Sequence, residues 1–196
     1  MKRKTISLPL FLFVLLLTSL ACTIAIGGPD YSDREPIPVS NEAAESIKEE
    51  IKRAFEAGLQ TGDVTIRITE TQITSLFAIR LQTDQSLQEN SKPLITDPQV
   101  YLRDGQMQVF GKTHQGMFTA NIGIVVAVSV DDAGEPKIDI VSADFGPLPA
   151  PAGINNAVSA MIQEAFTGSL GPVATGLRIQ SITIIDGNMY IVGRIR

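Results

Sequence analysis

The chain has 196 residues, of which 16 are Lys or Arg and 21 are Asp or Glu, so its net charge is −5 at pH 7. Without its first 21 residues it keeps 13 basic and 21 acidic residues, a net charge of −8. This excess of acidic residues argues against nucleic acid as a partner and against polybasic binding to anionic lipids, because both need clustered Lys and Arg. The hydrophobic content of 44% predicts a folded domain, and the single cysteine excludes an internal disulfide.

The first 21 residues have the arrangement of a secretory signal peptide, with basic residues at 2–4, an apolar run at 8–17 and small residues at 18–21. Ala21-Cys22 resembles the lipobox of bacterial lipoproteins, whose cysteine becomes the diacylated first residue, although Ser19 replaces the usual Leu. We predict a signal peptide over residues 1–21 and a lipid anchor, palmitate or a similar acyl group, at Cys22. This anchor would hold the protein on the extracytoplasmic side of the cytoplasmic membrane.

Two alternatives to the lipoprotein interpretation remain open at this point. Residues 8–26 are just long enough to cross a bilayer and could form an uncleaved membrane anchor. Alternatively, ordinary signal peptidase could cleave after the small residues and release a soluble protein.

The segment that follows the cysteine has no hydrophobic periodicity. It contains Gly27-Gly28-Pro29, Pro36-Ile37-Pro38 and several charged residues. A composition of this kind indicates a flexible spacer. We predict that residues 22–39 tether a single folded domain, residues 40–196, to the membrane.

Apolar residues at spacings of three and four predict three amphipathic helices in that domain. Ser40 is a suitable N-cap for the first helix, which ends near Gly58, and residues 69–72 form a capping box for the second. A loop is expected over residues 82–96. The third helix, with its apolar face over residues 154–166, follows a proline-rich stretch.

Alternation of apolar and polar residues predicts the strands. Asp104-Gly105 indicates a tight hairpin, residues 111–116 (GKTHQG) indicate a break, and residues 118–130 predict one strand about 40 Å long. The apolar phase slips at Val141, as at a β-bulge. The other predicted strands are residues 64–68, 100–109 as a hairpin, 138–145, 177–185 and 189–195. We therefore expect an α+β fold, in which a long curved antiparallel sheet packs on amphipathic helices.

The residue patterns of common catalytic sites are missing. His114 is the only histidine and stands in a polar segment, and no nucleophile elbow of the G-x-S-x-G type is present. Neither a zinc-ligand spacing, nor a calcium loop, nor a glycine-rich phosphate loop occurs. Two carboxylates distant in sequence could still meet in a hydrolase, so this third possibility stays open. We predict a protein that is not an enzyme and that has neither a metal nor a cofactor.

The order of four motifs resembles the YpmS-like and LmeA-like families of membrane-anchored extracytoplasmic proteins. These motifs are VTIRITETQITSLF (64–77), DPQVYLRDGQMQVFGK (97–112), DFGPLPAPAGINNAV (144–158) and SITIIDGNMYIVGR (181–194). The resemblance implies a fold of the tubular lipid-binding (TULIP-like) group, in which a curved sheet wraps a helix. It implies a protein that holds a phospholipid or a related acyl chain, and it supplies no catalytic residues.

Together, the apolar strand positions and the resemblance give a candidate ligand site. We predict a lipoprotein of the cell envelope that binds a lipid or another hydrophobic ligand in an apolar groove. The candidate lining residues are Phe118, Ile122, Ile124, Val126, Val128, Phe145 and Met161. The alternative is a structural or protein-interaction module, in which the same residues simply fill the core and a partner docks on an exposed sheet edge.

Overall fold

A computed structural model of the chain describes residues 24–89, 92–150, 153–167 and 176–195. Within these ranges two main sheets and three helices are present. The helices are α1 (Asn41–Gly58), α2 (Glu70–Thr83) and α3 (Ile154–Thr167). The strands are β1 (Ile24–Ala25), β2 (Asp63–Thr69), β3 (Gln88–Glu89), β4 (Lys92–Pro93), β5 (Thr96–Arg103), β6 (Gln106–Gln115), β7 (Phe118–Val130), β8 (Pro136–Asp144), β9 (Leu177–Ile185) and β10 (Asn188–Ile195).

The starts of the first two helices follow the predicted caps. The Ser40 hydroxyl accepts a hydrogen bond from the Ala43 backbone N–H at 3.0 Å, which satisfies one free donor of the first turn of α1. At α2, Thr69 and Gln72 form the reciprocal bonds of a capping box. Both predicted N-termini are confirmed.

The long sheet is built around β7, which has 13 residues. β6 pairs with one edge of β7 and carries β5 beyond it, while β1 and β8 share the other edge. β1 runs parallel to β7 at Phe118 and Thr119, and β8 runs antiparallel from Gly123 onward. The smaller sheet has the order β2-β10-β9 and is antiparallel.

The predicted bulge is present in β8. Val125 pairs with Ser142 and Val126 pairs with Ile140, so Val141 has no partner on β7. The extra residue moves the inward-facing positions of β8 by one, which is the phase slip seen in the sequence.

Two predictions about irregular segments are corrected. Residues 111–116 do not break the sheet, because β6 continues to Gln115 in register with β7. The inward side of this part of β6 carries the small residues Gly111 and Thr113, and a Cβ on Gly111 would lie 2.4 Å from Ile95 Cγ2. The expected loop at residues 82–96 contains a 3₁₀ turn and the short β3–β4 pair, on either side of residues 90 and 91.

Residues 24–39 differ from the expected flexible tether, because they are bound to the long sheet. Residues 24–27 pair with the edge of β7, and the segment around Tyr31 and Arg34 lies against the outer face. We call residues 26–38 the N-terminal strap. Ile26 N donates to Thr119 O at 2.9 Å, and Ile37 N donates to the Gln99 side chain at 2.7 Å. Partners 62 or more residues distant in sequence hold this segment, so its local composition does not reveal them.

One cluster of buried apolar side chains joins the helices to both sheets. It includes the inward residues of β5, β6 and β7 and the apolar face of α3. The fold is therefore α+β, with a long sheet packed on helices, as predicted. The sheet is mixed rather than purely antiparallel, because β1 pairs with β7 in parallel.

Candidate functional site

Four of the predicted lining residues form one row on the inner face of β7. Ile122, Ile124 and Val126 are 0–1% exposed and Val128 is 7% exposed. Three of them pair with inward-facing positions of β6: Ile122 with Gly111, Ile124 with Val109 and Val126 with Met107. Successive residues of a strand point to opposite faces, so this row is continuous along the inside of the sheet.

Helix α3 lies beside β8, the edge strand of this sheet. Met161 is 7% exposed and belongs to the same buried cluster as the β7 row. Met161 and the four residues of the β7 row therefore lie in one apolar cluster. Whether they line a ligand cavity stays a prediction, because deep burial suits both a filled core and an enclosed ligand site.

The apolar row continues onto β8, where its cover is incomplete. Ile138 and Ile140 pair with Val128 and Val126 and share their face, yet both are only half-buried. Phe145, just beyond the end of β8, is also half-buried and packs on the cluster. We call Ile138, Ile140 and Phe145 the apolar margin. Phe145 is among the predicted lining residues, whereas Ile138 and Ile140 are not. Their alternation with charged residues along β8 was the sequence signal for them.

Phe118 lies apart from the other candidates. It begins β7 next to the β6–β7 turn and is 42% exposed. Ala120, two residues further along the same face, is 1% exposed, so the covered part of the sheet ends between these two positions.

The outer face of the sheet carries a second cluster, formed by Tyr31 and Arg34 of the strap with Tyr101 and Phe110 of the sheet. The Arg34 guanidinium lies 4.8 Å from the ring centroids of both Tyr101 and Phe110. Arg34 also donates to the Gln108 side chain at 2.8 Å. Burial raises the pKa of Tyr31 and of Tyr101 above the ordinary value of 10.0. Tyr101 of β5 and Phe110 of β6 occupy outward-facing strand positions. Aromatic residues at such positions were the sequence signal that another segment covers the outer face.

The histidine has hydroxyl neighbours in the structure. His114 Nε2 lies 3.0 Å from Thr96 Oγ1, and Nδ1 lies 2.9 Å from Thr119 Oγ1. Within the described ranges no group of three or more His, Cys, Asp or Glu residues could hold a metal ion. Open polar clefts of about 440 and 650 Å³ lie at the surface, beside Arg103 and beside Arg178 respectively.

The predicted signal peptide and the anchor residue Cys22 lie outside the described residues. Among the residues that the structure does describe, none of the helices has the length and apolarity needed to cross a membrane.

Comparisons with known proteins find similarity only among solved structures, and that similarity is distant. No family model matches the chain, and no curated protein matches it. Among solved structures, the chain is similar to one titled as the crystal structure of lipopolysaccharide binding protein, with 13% identity and a TM-score of 0.28. The match covers 68% of this chain and 49% of the other, so the chain spans about half the length of that neighbour. The family resemblance drawn from the motifs stays a prediction.

Proposed function

We propose that this protein is a non-enzymatic lipoprotein of the cell envelope that binds an acyl chain between α3 and the edge strand β8. The apolar margin supports this proposal most directly. Its half-buried side chains extend the sealed row of β7 to the edge of the sheet. A hydrocarbon chain laid along the margin would remove this apolar surface from water, which contributes about 0.8 kcal/mol for each CH₂ group buried.

The charges of β8 favour the same site. Lys137 and Asp139 alternate with the inward isoleucines, and their side chains form an exposed ion pair at 2.8 Å. Consecutive residues on a strand point to opposite faces, so these charges lie away from the margin. The margin therefore offers an apolar wall for a ligand tail, while a polar headgroup would remain in water at the sheet edge.

Anchoring is the second part of the proposal. A diacylated Cys22 would supply the two acyl chains that stable membrane attachment requires. Metabolic labelling with palmitate tests this part, with Cys22→Ser as the control. We expect the label on the unaltered chain alone, and equal labelling of both chains would contradict the anchor.

The ligand site is tested by photo-crosslinking in cells that express the full chain and are fed a diazirine fatty acid. We expect crosslinks on peptides from β8 and α3, which peptide mapping separates from any acyl group on Cys22. Ile140→Glu should remove these crosslinks, because a carboxylate on the margin would have to be desolvated by the ligand. Val141→Glu is the matched control, since Val141 is the adjacent, unpaired residue and is 56% exposed.

A second variant tests the same site if Ile140→Glu fails to fold. Ala157 on α3 is half-buried and packs against the same cluster as the margin. Ala157→Trp adds a bulky apolar side chain to this helix, so it should reduce crosslinking without adding charge. Crosslinks spread evenly over the surface, or unchanged in both variants, would contradict the ligand site. That result would favour the alternative of a filled core in a protein-interaction module.

A further inference from the structure

Exposed apolar side chains gather at one end of the long sheet. The described residues include seven large exposed hydrophobic side chains, and three of them lie at the β6–β7 turn. These are Ile24, Met117 and Phe118, which are 50%, 66% and 42% exposed. We call them the turn cluster. Neighbouring apolar side chains exposed together indicate a contact surface more strongly than single ones do.

Hydrogen bonds connect this cluster directly to the N-terminal segment. Ile24 N donates to Met117 O at 3.0 Å, and Ile24 lies opposite Phe118 in the β1–β7 register. The sequence immediately before Ile24 contains the apolar run at residues 8–17 and Cys22. Whatever holds that segment in a membrane therefore also holds the β6–β7 turn within a few residues of the bilayer.

The charge distribution suits a membrane at this end. No acidic residue occurs in the sequence from residue 105 to residue 130, which covers β6, the turn and β7. Near the turn, Lys112 Nζ lies 2.8 Å from Asp97 Oδ2, so the negative charge of Asp97 is paired with a positive charge. The opposite end of β7 carries Asp131 and Asp132, and this chain is acidic overall. The β6–β7 turn is thus less acidic than the β7–β8 turn at the other end of β7, and anionic lipid repels it less.

We propose that the β6–β7 turn is a second membrane contact, in which Met117 and Phe118 enter the interfacial region of the bilayer beside the anchor. This inference rests on the anchoring part of the proposed function. An aromatic ring and a flexible thioether suit this region, where apolar side chains leave water without crossing the membrane. The contact would fix the orientation of the domain relative to the membrane. The β7–β8 turn would then lie about 40 Å along the strand from the bilayer.

The test uses the full chain reconstituted in vesicles of phosphatidylethanolamine and phosphatidylglycerol. The photoreactive residue p-benzoyl-phenylalanine replaces Met117, Asp132 or Val141 in turn. Asp132 reports on the distal turn, and Val141 is an exposed apolar residue elsewhere on the sheet, which controls for nonspecific attraction of the probe to lipid. After irradiation, mass spectrometry measures the fraction of chain joined to a phospholipid. We expect several-fold more adduct at position 117 than at either control position.

Flotation of the vesicles separates the possible failures. If the chain floats with the vesicles but position 117 forms no more adduct than position 141, the turn contact is wrong and the anchor stands. If the chain does not float, both the anchor and the turn contact are overturned. Adduct at position 117 together with no fatty-acid crosslinks at the apolar margin would support the turn contact and contradict only the ligand site.

Discussion

The two faces of the long sheet are covered in different ways. On the inner face, aliphatic side chains such as Ile122 and Ile124 pack into one large cluster with the helices and are almost fully buried. On the outer face, the strap is held by a few directional contacts, chiefly Arg34 against Tyr101 and Phe110. The packing on the inner face is extensive and hydrophobic, and it has no preferred direction. The packing on the outer face is local and depends on particular residues.

Substitutions on the two faces should therefore have different effects on stability. Loss of an inner side chain leaves a cavity in a shared core and lowers the stability of the whole domain. Loss of a strap contact frees one segment at the surface, so it shows as local opening rather than global unfolding.

The largest effect should come from Ile124→Ala on the inner face. Ile124 is 1% exposed, so its truncation removes buried methyl groups from the core. We expect the free energy of unfolding to fall by about 2–5 kcal/mol. Urea unfolding of the full chain in mild detergent measures this loss. Val125→Ala, the adjacent residue on the outer face, should cost clearly less, and equal losses would contradict the assignment of the two faces.

The strap should be most sensitive to Gly28→Ala. A Cβ on Gly28 would lie 2.1 Å from the carbonyl oxygen of Asn121, a backbone atom that cannot turn away. We expect displacement of residues 26–30 at a cost of about 1–3 kcal/mol, with faster amide hydrogen exchange in the strap and unchanged exchange in the inner core.

Gly27→Ala is the matched control for this clash. Gly27 has φ +99 and Gly28 has φ +109, so both positions strain an alanine, but a Cβ on Gly27 meets nothing within 4 Å. The Gly28 variant should therefore release the strap more than the Gly27 variant. Equal exchange in the two variants would mean that backbone strain alone, and not the close approach to β7, decides the outcome.

A smaller effect is expected from Arg34→Ala. The variant removes the cation above two rings and the hydrogen bond to Gln108, which together favour the docked strap by about 0.5–2 kcal/mol. Hydrogen exchange should quicken at the Ile37 amide. Arg34→Lys keeps the charge but not the planar guanidinium, so it should give an intermediate rate. An unchanged Ile37 amide in Arg34→Ala would show that the strap is held elsewhere.

The smallest effect concerns alkaline pH. Burial is the main cause that raises the pKa of Tyr101 above 10.0, so the folded state keeps its phenol proton at a pH where the unfolded state has lost it. The stability that this group contributes is fully present below pH 10 and is lost as pH rises through the raised pKa. Ultraviolet titration of tyrosine ionisation with near-ultraviolet circular dichroism should show this loss, and Tyr101→Phe should reduce it. A loss of the same size in Tyr101→Phe would exclude Tyr101 as its source.

Much of the fold was predictable because its causes are local. The Ser40 cap, the capping box at Thr69 and the Asp104-Gly105 turn each depend on residues within one turn of chain. The bulge at Val141 was predictable because side chains alternate between the two faces of a strand. An extra residue therefore shifts the apolar positions by one, which is visible in the sequence.

The segments that were wrongly predicted depend on distant partners. Gly111 suits β6 because Ile95, sixteen positions earlier, approaches it closely, and no local pattern reveals that neighbour. The strap docks on side chains of β5 and β6, which its own Gly and Pro content does not indicate. At the candidate site, the buried row of β7 was predictable from alternation. The half-burial of Ile138 and Ile140 depends on how β8 and α3 pack in the folded protein, which the local sequence does not reveal.

The arrangement of β1 has a consequence for self-association. β8 leaves β7 at Gly123, and beyond that point the backbone of β7 is paired on this side by β1 and Gly27. A protease that removed this short segment would leave unpaired groups, including the Thr119 carbonyl and the Asn121 amide, on a bare strand edge. Bare edges recruit strands from other copies. Residues 24–27 thus prevent intermolecular β-pairing at this edge of β7. A chain that lacks them should form dimers or fibrils under conditions in which the intact chain does not.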